Sequence, residues 1–144
     1  NVSPQYILLQ EVSAPYTLEM VSMATKKCFV RSFRGQLPIF FQSGAIVPLE
    51  RIRQGRYTEA SHVFLPIEKC AANGIVELPA GQCVTAYHTG DYLSIGKAYE
   101  RILEYCRAHN LKIISDSYEF AINDYLSTDN EAEYITKIMF YACR

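Results

Sequence analysis

The chain has 144 residues, 49% hydrophobic and 20% charged, with 14 basic residues against 15 acidic ones and a formal net charge of −1. That length matches one domain, and ordinary hydrophobicity with almost no net charge excludes intrinsic disorder. The balanced charge leaves no basic excess to neutralise nucleic-acid phosphates, and no apolar run approaches the roughly 20 residues of a membrane-spanning helix. No signal-peptide pattern opens the chain, and it begins at Asn1 rather than an initiator Met, so a piece of a longer protein is expected. Eleven Tyr and 7 Phe stand beside no Trp, a composition that can line a pocket or fill a core. The five cysteines, Cys28, Cys70, Cys83, Cys106 and Cys143, form no CxxC motif and no Cys/His cluster. Reduced thiols in a cytoplasmic protein are expected, with no metal and no cofactor.

In chain order, residues 1–15 carry Tyr6, Ile7, Leu8 and Leu9 but no complete element, and read as a linker from an absent upstream region. The domain is then 16–144. Thr17 to Phe33 reads as two extended runs split near Ala24-Thr25-Lys26, which leaves only Gln36 to Ser43, with Pro38 inside it, for a helix. Ala45 to Ile52 and Tyr57 to Ile67 read as a hairpin around Gln54-Gly55. Gly74 to Ala80 is short and apolar, and Gln82 to His88 is a strand broken by Thr89-Gly90-Asp91. From Tyr92 to His109, Ile95, Ala98, Tyr99, Ile102, Leu103 and Cys106 recur at helical spacing, with Asp91 a capping residue and Asn110 suited to the left-handed position that ends a helix. Lys112 to Ile114 and Tyr118 to Asn123 then read as strands, Asp124 to Glu133 as a polar loop, and Tyr134 to Ala142 as a final strand.

Cys28 through Gly35 aligns with Cys83 through Gly90, each starting at Cys and ending at Gly. The resulting expectation is an α+β fold: a duplicated strand-helix-strand-strand module whose antiparallel sheet holds a ligand groove between the halves, the first helix being short or missing.

Glu119 is the residue to explain. Strand alternation puts it on one face with Ala121 and Asn123, and puts Tyr118, Phe120 and Ile122 on the other. If the aromatic face packs under the helix, Glu119 points to the opposite, concave face. A buried carboxylate there needs a partner, which Lys137 or a cationic ligand would supply; an exposed Glu on a half-buried sheet needs none. Tyr87 and Tyr134 can stack on an aromatic ligand beside it, or serve as ordinary core or rim. His88 reads as structural, Ser94 and Ser115 have no visible activating base, and the arginines at 31–34 and 51–53 read as solvated charges. No nucleophile elbow and no phosphate-cradling loop is evident, so no catalytic residue is assigned.

Leu78-Pro79-Ala80-Gly81, Ala86 through Tyr92, the helix that follows, Ser115 through Glu119 and Asn123-Asp124-Tyr125 together resemble the GyrI-like effector-binding domain. This is the small-molecule-binding module of many MerR-type and AraC-type transcription regulators, and the likeness is strongest to the multidrug-binding C-terminal domain of MerR-type activators. The resemblance implies a cationic, lipophilic ligand met by Glu119 at the pocket floor, with Tyr87 and Tyr134 as pocket tyrosines. It further implies that DNA is bound only through an absent upstream domain, that the full-length protein is a homodimer, and that no membrane is involved. Some GyrI-like proteins instead hydrolyse reactive cyclopropane compounds with a pocket Tyr and Glu, and others bind gyrase, so a hydrolase is the alternative and a protein-binding module the third reading.

Overall fold

The structure, a computed structural model, describes residues 1–124 and 128–144; Tyr125, quoted above, lies outside them. The elements are β1 (Gln5–Glu11), α1 (Leu18–Arg34), β2 (Gly44–Val47), α2 (Leu49–Arg53), β3 (His62–Ile67), β4 (Ile75–Leu78), β5 (Cys83–Thr89), α3 (Gly96–Ala108), β6 (Lys112–Ile113), β7 (Ser117–Asn123) and β8 (Ile135–Cys143), with single 3-10 turns at Tyr92–Ser94 and Glu131–Glu133. The sheet is antiparallel in the order β4-β1-β3-β2-β7-β8-β5, with β6 pairing β8 off that row.

Read outward from the β2–β7 seam, the order is β3-β1 on one side and β8-β5 on the other. The duplicated α+β module is therefore present, as β1-α1-β2-β3 and β5-α3-β7-β8. Its register differs from the alignment of Cys28 with Cys83. Cys28 lies in α1 and Cys83 in β5, and the strand equivalent to β5 is β1.

Two expectations for the first half are corrected. Residues 1–15 are not a linker: Gln5–Glu11 is a strand paired on both sides, with Ile7 and Leu8 buried. A strand covered on both faces reads as the continuous run Tyr6-Ile7-Leu8-Leu9, without the alternation that signals a one-sided strand. The first helix is neither short nor missing, and it occupies the stretch read as two extended runs. Thr17 caps α1 by accepting the Met20 N–H at 3.3 Å, Glu19 sits in its first turn, and Arg31 and Arg34 lie in its last. Its buried stripe is Ala24, Cys28 and Ser32, while Met23, Val30 and Phe33 are exposed. Small residues inside and large apolar ones outside invert the amphipathic pattern that would have revealed it. Gln36 to Ser43 is a loop. Of the predicted hairpin, β2 and β3 do pair antiparallel, but Leu49–Arg53 between them is the helix α2, Gln54 ends that helix rather than turning a hairpin, and residues 57–61 lie outside β3.

The row of strands cannot be flat. Seven strands spaced ~4.8 Å apart would hold its ends roughly 29 Å from each other. The five Cα steps from Leu78, closing β4, to Cys83, opening β5, span at most roughly 19 Å. The sheet therefore curls, and the helix-free face closes on itself around Ile7, Ile46, Phe64, Leu78, Phe120 and Met139. Phe64 and Phe120 meet there edge to face, 5.2 Å between centroids. On the other face α1 packs through Ala24 and Cys28, and α3 through Tyr99, Ile102 and Cys106. Leu111 N–H bonds the Cys106 carbonyl at 2.8 Å to close α3, with Asn110 at φ 55°.

Candidate functional site

Between α1 and the Gly90–Tyr92 segment that precedes α3, above the seam, lies a cleft of about 250 Å³. Leu18, Val21, Ser22 and Thr25 of α1 form one wall, and Gly90 and Tyr92 contribute from the second half. The sheet supplies Ala45, Val63, Glu119, Ala121 and Thr136, with Asn123, Asp124 and Tyr134 completing the lining. Two carboxylates line the cleft, and among the described residues no Lys, Arg or His does.

Glu119 is 2% exposed. It occupies the helix-covered face of β7, opposite to expectation, because the aromatic residues Tyr118 and Phe120 fill the closed inner face while Glu119 meets the helix through hydrogen bonds. Tyr92 Oη donates to Glu119 Oε1 at 2.5 Å, and Tyr99 Oη donates to Oε2. With the Tyr99 proton engaged, Ser117 Oγ, 2.7 Å away, donates to the Tyr99 oxygen. Burial pushes the Glu119 carboxyl up from 4.5 to about 7, against the lowering effect of the two tyrosine donors. The same burial and the nearby carboxylate hold both tyrosine hydroxyls well above their usual range, so they remain protonated donors.

Lys137 is not the partner of Glu119. The register sets Glu119 opposite Ile138 and Lys137 opposite Phe120, and the ammonium lies 5.6 Å from the Phe120 ring centroid on the other face. Among the described residues no ion pair involves Glu119.

Of the two predicted tyrosines, Tyr134 lines the cleft and Tyr87 does not. Tyr87 is 56% exposed and shares the face of its cross-strand neighbour Lys137, because strand alternation turns Ala86 and His88 toward the helix. The tyrosines that serve Glu119 are Tyr92 and Tyr99, whose seven-residue spacing sets them on one side of the helical segment. That spacing was the available signal.

His88 is structural, as read. Its Nε2 lies 2.8 Å from the Asp91 carbonyl, which only accepts, so that nitrogen carries a proton and is no base for Ser94, 3.0 Å away. Ser94 Oγ donates to Asp91 Oδ1 at 2.7 Å. Arg31 and Arg51 are not merely solvated: Arg31 donates to the Leu9 carbonyl, and Arg51 donates to the Glu59 carbonyl and stacks on Tyr16. All five cysteines are unpaired, and burial raises the Cys28 thiol to about 11. Among the described residues no group of His, Cys, Asp and Glu is placed to hold a metal ion, and no helix is long and apolar enough to cross a membrane.

A curled antiparallel sheet carrying a helix-lined cleft with a buried carboxylate defines a small-molecule-binding α+β domain. The model of the GyrI-like small molecule binding domain matches residues 53–141, and the chain belongs to that family. A search of curated protein sequences finds no match. Among solved structures, the C-terminal domain of EcmrR aligns with a TM-score of 0.79 at 15% identity, covering 99% of this chain and 94% of that one. EcmrR in complex with DNA aligns with the same TM-score at 14% identity, and this chain covers 98% of itself but only 55% of that longer chain. SAV2435 bound to tetraphenylphosphonium (TM-score 0.59, 10% identity, 99% and 90% covered) and a hydrolase from Listeria innocua (0.59, 9%, 99% and 89%) share the fold.

Proposed function

We propose that this domain is the effector-binding part of a cytoplasmic transcription regulator, that it is not an enzyme, and that it takes a lipophilic cation into the cleft between α1 and the Tyr92 segment. Glu119 is the counter-charge, Tyr134 a stacking wall, and Tyr92 and Tyr99 hold the carboxylate in place. DNA binding then belongs to another domain of a homodimeric full-length protein. One observation carries this reading: a carboxylate 2% exposed that, among the described residues, lines a cavity with no basic side chain and is held by neutral donors. Such a group gains most from a cation that arrives with its own charge and few hydrogen-bonding needs. The structural likeness to EcmrR in complex with DNA supports the regulator reading, and that to SAV2435 bound to tetraphenylphosphonium supports the ligand class.

The volume, about 250 Å³, lies below the ~300–1,000 Å³ usual for drug-sized ligands. Compact cations therefore enter the cleft as it stands, and bulkier ones require α1 and the Tyr92 segment to part. Ligand binding controls the DNA-binding part only through a difference in affinity between its two arrangements.

The test is a thermal-shift and calorimetric titration with benzyltrimethylammonium and tetraphenylphosphonium against neutral triphenylphosphine oxide, repeated on Glu119→Gln. Cations bind, the neutral analogue binds at least tenfold more weakly, and the variant loses that preference. Equal affinity for charged and neutral ligands removes Glu119 from the role.

A hydrolase acting on reactive cyclopropane-type compounds is the second reading. It is favoured by a carboxyl raised to about 7 beside tyrosine hydroxyls, a suitable poise for a general base. Covalent turnover of such a substrate, lost in Glu119→Gln, would establish it in place of the sensor.

A further inference from the structure

We propose that the outer edge of β5, with the groove between it and α3, is a strand-addition site for an extended, acidic segment of another protein chain. The two halves differ most at this point. In the first half the outer edge of β1 is covered by β4, antiparallel, from Gln5 opposite Leu78 to Leu8 opposite Ile75. The segment leading into β4 also fills the space between α1 and the sheet, where Cys70 and Ile75 pack with Leu8 and Cys28. In the second half β5 ends the row, and among the described residues no strand covers it. The equivalent space beside α3 is an open cavity of about 490 Å³.

The backbone groups correspond as well. Leu9 and Tyr87 hold equivalent places on β1 and β5, and each gives its carbonyl to an arginine of the adjacent helix: Arg31 Nη2 at 2.6 Å and Arg101 Nη2 at 3.1 Å. In an antiparallel strand a residue turns its N–H and C=O to the same side. Tyr87, and Thr85 two residues before it, therefore aim their N–H groups outward. In the first half the corresponding Leu9 N–H is taken by the Gly74 carbonyl at 2.9 Å, at the start of the covering strand. The β5 sequence, CVTAYHT, contains no Pro, no Lys and no carboxylate, and so lacks the usual devices that keep an exposed edge from pairing.

The fold thus shows what fits here: an antiparallel extended backbone with an apolar side chain at the place of Ile75, directed at Ile102. Charge specifies the rest. Arg101, His109 and Arg144 line the groove and, among the described residues, no acidic side chain does, so the partner carries a carboxylate beside its apolar residue.

The chain's own covering segment supplies the probe. A synthetic peptide with the sequence of residues 72–79, which contains Gly74, Ile75 and Glu77, is titrated into isotope-labelled protein and followed by amide chemical shifts. Shifts are expected at Thr85, Tyr87, Arg101 and Tyr105, and none at Glu119. Thr85→Pro removes an outward N–H without touching the β8 ladder, and abolishes binding; Arg101→Gln, which keeps the backbone free, weakens it about fivefold. Retained cation binding in the cleft shows that both variants are folded. The proposal is overturned by silence at β5 up to ~1 mM peptide, the weakest specific affinity of interest. Shifts confined to β1 or the cleft, binding unchanged in Arg101→Gln, or a β5-mediated dimer that excludes the peptide overturn it equally.

Discussion

The two halves share one strand order but furnish the cleft unequally. The second half supplies its chemistry: Glu119, the donors Tyr92 and Tyr99, and the wall residue Tyr134. The first supplies shape, through Leu18, Val21 and Thr25 of α1 and the backbone of β2. At the seam the cross-strand neighbour of Glu119 is Ala45, so a carboxylate from one half faces a methyl group from the other. Two carboxylates there would repel and drive each other neutral. One charge opposite one small residue instead leaves room for a ligand.

The largest effect is expected where the shaping half meets the charged one. A Cβ added at Gly44 would lie 2.2 Å from Phe64 Cζ and 2.4 Å from the Glu119 carbonyl oxygen. Neither can yield, since Phe64 is fully buried on the inner face and the carbonyl belongs to the paired strand β7. Gly44→Ala therefore destabilises the domain by roughly 3 kcal/mol, at the top of the overpacking range, measured by urea unfolding. A cost below about 1 kcal/mol would show that the seam is looser than its packing implies.

The next effect isolates the charged half. The folded protein holds Glu119 at about 7 against an ordinary 4.5, so folding favours the protonated form. Stability is then full below pH ~4.5, falls as pH rises to ~7 and is flat above, a loss of about 3 kcal/mol. Glu119→Gln removes this slope, and its advantage over the parent is greatest at pH 8. The proposed cation binding runs the opposite way, since it requires the carboxylate: affinity is expected to rise about tenfold per pH unit up to ~7 and then level. Parallel unfolding and binding measurements from pH 5 to 8 test both slopes, and a pH-independent affinity would separate Glu119 from the ligand's charge.

How far the sequence revealed these features follows the same division. The second half was legible because α3 is conventionally amphipathic, with Ile95, Ala98, Tyr99, Ile102 and Cys106 on one stripe, and because Gly90 and Asn110 punctuate its ends. The first half was not. The buried stripe of α1 is built from Ala, Cys and Ser while Phe33 and Val30 face outward, and β1 is covered on both faces and so shows no period. Glu119 was identifiable as a carboxylate in an apolar strand, but its face was not. Alternation separates two faces without saying which one a helix covers, and the closed curl that buries Tyr118 and Phe120 arises from the short β4–β5 connection rather than from either strand.

The smallest effects discriminate the tyrosines. Tyr134 lines the cleft, whereas Tyr87 is turned to the opposite face beside Lys137. Removing a stacking ring beside a bound cation costs about 1 kcal/mol, so Tyr134→Ala weakens benzyltrimethylammonium binding about fivefold. Tyr87→Ala leaves it within a factor of about two, because no strand rotation short of a one-residue slip brings its ring to Glu119, and such a slip would turn every β5 side chain over. Calorimetric titration of the two variants under one set of conditions decides the matter. A loss at Tyr87 equal to that at Tyr134 would mean that the ligand reaches around the edge of β5, and that the cleft is not confined to the helix-covered face.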